Sequence, residues 1–241
     1  MAKHLISILI IILTSSIGGA YAKGQERRDA TALFFSEQSA EGQASQTRMI
    51  ITPAYLRIDG GVDGNGFILF DRVKPAIYSV TISDKTILVI APLKVNLRPP
   101  VPFINTIKIN NASYPKVTGH KLVHYQMITN GTRCFDVFAA RDLLPEPLAA
   151  LRQYAQLLAG EQAQAMEYTP KDMQTACDLA NNIFLPTRHL DQGFPVRQQD
   201  MAGNTRQLIN YDEHYPFDPK LFVLPAGFKR YTTQEMRGDT K

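Results

Sequence analysis

The sequence lacks most of the short motifs that mark enzymes. No serine stands in a Gly-x-Ser-x-Gly elbow, so the usual hydrolase nucleophile has no counterpart. There is no Gly-x-x-x-x-Gly-Lys phosphate cradle and no Gly-x-Gly-x-x-Gly turn opening a helix, which removes the common nucleotide sites. Asp63-Gly64-Asn65-Gly66 has the look of a calcium loop, but the acidic residue that should close it is missing. The run reads instead as a hairpin turn. Charge of one sign is also scarce. The 241 residues carry a net charge of only +4, too small a surplus to argue for nucleic acid.

Cysteine is nearly absent: Cys134 and Cys177 are the two. Two thiols without neighbouring histidines cannot complete a zinc site. His120 and His124 lie four apart on a segment that reads as a strand, which separates them by roughly 13 Å. Solvated or hydrogen-bonded histidines are the expectation there, and no metal or cofactor is expected.

What is present begins at the N-terminus. A short basic stretch at Met1–His4 precedes an apolar core from Leu5 to Leu13, and Ala20-Tyr21-Ala22 places small residues where a signal peptidase reads. Residues 1–22 therefore read as a cleavable signal peptide, with a mature start at Lys23 and a periplasmic location. The core is too short and too interrupted by Ser and Gly to favour a membrane anchor. Lys3 is the one charged residue in 1–22, so the mature net charge falls to +3. No later run is long and apolar enough to span a bilayer. In an exported chain an even pair of cysteines reads as a disulfide, Cys134–Cys177.

The mature chain divides by the period of its apolar residues. Residues 23–46 read as a flexible segment with a candidate first strand at 31–35. Strands are expected at 49–58, with Pro53 as a bulge, and at 67–70, 77–82 and 86–90. This is an antiparallel meander. Leu97-Arg98-Pro99-Pro100-Val101-Pro102 reads as a rigid extended connector. Strands resume at 106–109, 121–128 and 133–139, the last two joined by an Asn130-Gly131 hairpin turn. The period then changes to helical. Asp142 is the expected cap of a helix bearing the stripe Leu148, Leu151, Ala155 and Leu158, which Gly160 ends or weakens. Thr169-Pro170 should open a second helix that stops at Asn181-Asn182. Strands return at 194–200, 205–211 and 221–223, and 231–241 reads as a polar tail. The domain is expected to span 47–230, with the helical insert at about 142–182.

Three stretches together resemble a known family. They are Tyr55–Asp59 followed by Phe67–Asp71 and Ile77–Val80; Gly193–Val196 with Asp200–Thr205; and Asp218–Phe228. In this order they are similar to exported bacterial proteins related to the lipoprotein-localisation carriers, over about residues 47–90 and 193–230. The resemblance implies an α+β fold: a curved antiparallel sheet, an incomplete β-barrel, with a helical insert covering its concave face. In the carriers that face holds acyl chains. The corresponding residues here are Leu56, Ile58, Ile68, Phe70, Tyr78, Val80, Leu88 and Ile90, which serve either as core alone or as core and ligand cavity.

Two functional readings stand from the sequence. One is a non-enzymatic periplasmic protein that binds an apolar or lipid-like ligand. The other is a cell-envelope interaction protein that docks a protein partner through a sheet edge or the helical insert. A hydrolase using acidic residues ranks behind both.

Overall fold

The computed structural model describes residues 29–61, 66–110 and 112–238. The expected signal peptide at 1–22, and Asp63, Gly64 and Asn65 of the expected hairpin turn, lie outside these described residues. Six strands come first: β1 (Asp29–Gln38), β2 (Ala44–Ile51), β3 (Tyr55–Asp59), β4 (Phe67–Asp71), β5 (Ala76–Thr81) and β6 (Thr86–Ile90). Next come β7 (Asn105–Asn110), β8 (Leu122–Thr129) and β9 (Thr132–Ala140). Helix α1 (Pro145–Glu167) and a shorter helical stretch follow. The chain closes with β10 (Phe194–Asp200), β11 (Thr205–Pro216), β12 (Lys229–Thr232) and α3 (Thr233–Arg237).

The strands form one open, curved sheet in the order β12-β6-β5-β4-β3-β2-β1-β11-β10-β9-β8-β7. Two antiparallel meanders meet where β1 pairs with β11. The sheet is mixed rather than purely antiparallel, because β12 joins the edge of β6 in parallel. The helical segment is inserted between the neighbouring strands β9 and β10, so it folds back over one face, called the inner face below.

Period-two alternation sorts the strand residues between two covered faces. On the inner face Leu33, Met49, Leu56, Phe70 and Ile77 pack with Leu148, Leu157 and Leu190 into the main core. On the outer face Ala30, Ile50 and Leu69 are covered by Phe222 and its neighbours Phe217, Leu221 and Leu224. Arg57 and Asp59 lie buried beneath that cover. Asp59 accepts from both Arg48 and Arg57, and Arg57 donates to the Leu221 carbonyl at 2.7 Å.

The connector 91–104 runs from β6 to β7, at the far edge of the sheet. It packs on helical residues: Leu97 and Phe103 sit with Ala163, Met166, Leu179 and Ile183. The carbonyl of Leu93 abuts Gly160 of α1. The connector is thus a strap against the insert, and Gly160 is an interior helix residue that lets it approach, not a helix end.

Several local expectations change. The strand expected over 49–58 is two strands, because Pro53 falls in a tight turn where Thr52 and Tyr55 exchange hydrogen bonds. The flexible segment expected at 23–46 holds the whole of β1 and the start of β2, and the loop between them is residues 39–43. Asp142 does not cap α1. Asp142 and Leu144 both take positive φ, and Pro145 occupies the first helical position without a side-chain cap. Thr169-Pro170 opens only a 3-10 turn at Lys171–Met173. The next helix starts at Thr175, whose hydroxyl accepts from the Asp178 amide. It comprises α2 (Ala176–Asp178) and a π-helical continuation through Leu179–Phe184, past Asn181-Asn182.

Residues 221–223 are not a strand; Pro219–Phe222 is a 3-10 turn covering the outer face. The expected polar tail is structured as far as residue 238. Thr232 and Glu235 form a capping box for α3, and Thr233 and Arg237 bind Glu161 of α1. The Asn130-Gly131 turn forms as expected, with φ of 50° and 80°.

Cys134 and Cys177 form a disulfide with Cα atoms 5.2 Å apart. A bulge where Ile128 pairs with Arg133 and Met127 with Phe135 displaces Cys134 from the alternation. Arg133 therefore takes the face of Asp136, to which it is ion-paired at 3.1 Å, and Cys134 turns to the helical side.

Candidate functional site

A chamber of about 430 Å3 lies between α1 and the inner face of the sheet. Its size falls within the roughly 300–1,000 Å3 of small-molecule sites. The helix contributes Leu151, Tyr154, Ala155 and Leu158, residues spaced three or four apart and so on one side of α1. The sheet contributes Phe35, Met49, Ile58 and Ile68. These contributions are apolar because each strand offers the same alternate residues to the helix, and Thr47, Gln162, Asn181, Asn182 and Gln198 add polar groups to the wall.

Ionisable groups also line the chamber. Arg206 Nε is 3.0 Å from Glu37 Oε1, a close ion pair without the alignment of a hydrogen bond. The guanidinium also lies 4.5 Å over the Phe35 ring. Burial lowers the Arg206 pKa, and the charge of Glu37 and the Tyr154 phenol oppose that shift. Burial raises the Tyr154 pKa. His189 stacks on Phe135 with ring centres 5.6 Å apart, and its Nδ1 has no hydrogen-bond partner among the described residues. Burial, then the positive charges of Arg188 and Arg206, push the His189 pKa down to about 4. At neutral pH the chamber therefore holds a neutral imidazole, a neutral phenol and one ion pair. Glu37 is the one carboxylate in its described wall, so two carboxylates do not converge there.

The residues expected from the sequence separate into three groups. Ile58 and Ile68 reach the chamber wall. Leu56, Phe70 and Ile90 are buried in the main core beside it, and Leu88 packs against that core. Tyr78 and Val80 face the other way. The register pairs Phe70 with Ile77 and Ile68 with Ser79, which puts Ile77 and Ser79 on the inner face and sends Tyr78 to the outer-face cluster. The strand phase shifts by one residue between β4 and β5, and a one-residue shift reverses every side chain.

Sequence reading missed Phe35, Met49, Tyr154, His189 and Arg206. The signal for Arg206 was present: it alternates with Leu208 in an expected strand and so shares the inner face. His189 lies in the irregular segment after the π-helical turn, where no period applies. His124 is paired as expected, with Nε2 2.7 Å from Asp136 Oδ1 and its ring stacked on Phe138.

No family model matches the chain, and no curated protein is similar to it in sequence. Solved structures share its arrangement distantly. An uncharacterised conserved protein from Thermus thermophilus is 7% identical with a TM-score of 0.44, covering 85% of this chain and 91% of that one. PNGF-II is 7% identical with a TM-score of 0.41, covering 88% of this chain and 32% of its own length. A structure of the Pseudomonas aeruginosa MucA/MucB complex is 9% identical with a TM-score of 0.39, covering 83% and 57%. The chain thus spans about a third of PNGF-II and little more than half of that MucA/MucB chain. These likenesses assign no role to any residue of this chain.

Proposed function

We propose that this chain is an exported, non-enzymatic protein of the cell envelope that holds the apolar part of a lipid-like ligand between α1 and the sheet. The carrying observation is the chamber itself. Helix and sheet both turn apolar side chains toward a space that they do not fill. Export to the periplasm is supported by the Ala20-Tyr21-Ala22 site and by the Cys134–Cys177 disulfide.

The test is saturable uptake of a fluorescent fatty-acid probe by the folded protein. Ala155→Trp, which places a large ring in the chamber from the helix side, should abolish uptake while the far-UV spectrum is kept. Failure of the folded wild type to take up any acyl, sterol or isoprenoid probe would remove the reading.

A second reading, docking of a protein partner, is favoured by one feature. Among the described residues β7 is an edge strand with no neighbouring strand on one side, and Ile107 and Ile109 are exposed along it. An extended partner segment could add to that edge through its backbone. Ile107→Lys should then weaken partner binding and leave probe uptake intact.

A further inference from the structure

The apolar chamber continues into a polar one. Beyond the Arg206–Glu37 pair, the inner face runs to the rim made by the β1–β2 and β10–β11 hairpins. A second depression of about 390 Å3 lies there. Glu37, Gln198 and Arg206 belong to the walls of both. Strand register explains the junction: Ser45 is opposite Glu37, Glu37 opposite Arg206, and Arg206 opposite Gln198. These four residues form one row across four strands, with the apolar chamber on one side and the polar basin on the other.

The charges of the basin are already engaged. Arg206 and Glu37 pair at 3.0 Å. Asp200 accepts from the Asn204 backbone at 2.9 Å and from its side-chain amide at 2.8 Å. One cation stands against two carboxylates in the basin wall, so there is no positive surplus for a phosphate or carboxylate. Arg206 makes no aligned hydrogen bond among the described residues, but its charge is balanced by Glu37, and the other uncommitted groups are neutral. The side chains of Gln43, Ser45 and Gln198 make no hydrogen bond within the described protein, and each can both donate and accept; Gln38 and Thr205 also border the basin but alternate to the outer face. Phe135 adds one apolar ring to the wall.

We infer that the ligand is an amphiphile with an uncharged, hydroxyl-rich headgroup, glycosyl or glyceryl, seated in this basin with its chain in the chamber. The inference rests on the lipid-binding reading and names the ligand class for the same site. Paired amide and hydroxyl side chains exchange hydrogen bonds with hydroxyls in both directions. A net anionic headgroup would meet Glu37 and Asp200 without a free cation to offset them.

Calorimetric titration of the exported, oxidised protein tests this with four ligands sharing a ten-carbon chain: decyl glucoside, monodecanoylglycerol, decanoate and 1-decanol, each below its aggregation concentration. At least one hydroxyl-rich ligand should bind about tenfold more tightly than decanol, the worth of one or two net hydrogen bonds. It should also bind more tightly than decanoate. Preference between glucoside and glyceride identifies the headgroup source. Ser45→Trp, which fills the basin, should bring the preferred ligand to the affinity of decanol. Gln198→Leu checks the same point without adding bulk near the hairpin. Decanoate binding tightest, or all four binding equally, would overturn the headgroup inference and leave the chamber reading standing. Failure of all four, together with the fluorescent probe, would remove both.

Discussion

The carbonyl oxygen of Leu93 occupies the space that a side chain on Gly160 would need. The contact joins the strap leaving β6 to the middle of α1. The helix is thereby held from two sides, by the sheet through Leu148 and Leu157 and by the strap at Gly160. The chamber roof is part of this helix, so the strap fixes the height of the roof.

Gly160→Ala separates propensity from packing. In a free helix the change favours helix by about 1 kcal/mol. In α1 the new methyl meets backbone, which cannot turn aside, and overpacking of this kind costs roughly 1–3 kcal/mol. A net destabilisation is expected in urea unfolding. A more stable variant would mean that the strap does not press on α1.

Much of this architecture could be read from the sequence, and the failures have physical causes. The stripe Leu151, Ala155 and Leu158 forecast the side of α1 that lines the chamber, because a helix repeats every 3.6 residues regardless of context. The strand β4 was visible as a short apolar run, and β8 and β9 as runs joined by a hairpin turn. Tyr78 and Val80 went to the wrong face because alternation within a strand does not fix its phase against the next strand; the turn does. β12 and α3 were invisible because Lys229–Thr232 is a short edge strand whose pairing with β6 comes from a distant part of the chain. The ion pair of the chamber needs β1 and β11 to be neighbours, and no local signal states that Glu37 faces Arg206.

The disulfide ties the bulged Cys134 of β9 to the helical insert, closing a separation of 43 residues. Cys134→Ser should lower unfolding stability by about 2–5 kcal/mol. Thiol titration of the unfolded, unreduced wild type should find no free thiol; two free thiols would refute the bridge.

Asp59 should act as a buried anchor of the outer face. Burial pushes its pKa up, but hydrogen bonds from Arg48, Arg57 and the Gly61 amide outweigh it and hold the carboxyl below its ordinary value. A lowered carboxylate stabilises the fold above its unfolded pKa of 3.8, and this contribution is lost as pH falls through the lower, folded value. Asp59→Asn leaves Arg57 without its anion under the Leu221 cover and should cost about 3 kcal/mol at neutral pH. The same variant should flatten the stability profile below pH 4. An unchanged acid limb would show that Asp59 does not carry it.

His189 should govern a different, less acidic window. Its folded pKa is about 4, against an ordinary 6.5. Between these values the unfolded chain binds the proton and the folded chain does not. Stability must therefore rise with pH across this interval. The contribution is fully present above pH 6.5 and is lost as pH falls toward 4. Its ceiling is about 3 kcal/mol, set by the width of the interval. Protonation would place a cation beside Phe135 near Arg188 and Arg206, with no hydrogen-bond acceptor at Nδ1 among the described residues. His189→Gln, which keeps a polar side chain that does not titrate, should remove the slope between pH 6.5 and 4 and leave the Asp59 limb below it. Urea unfolding of wild type and variant at half-unit pH steps measures both slopes. If the two curves stay parallel from pH 7 to pH 4, His189 is not held neutral in the folded protein, and the charge of the chamber is not set by the Arg206–Glu37 pair alone.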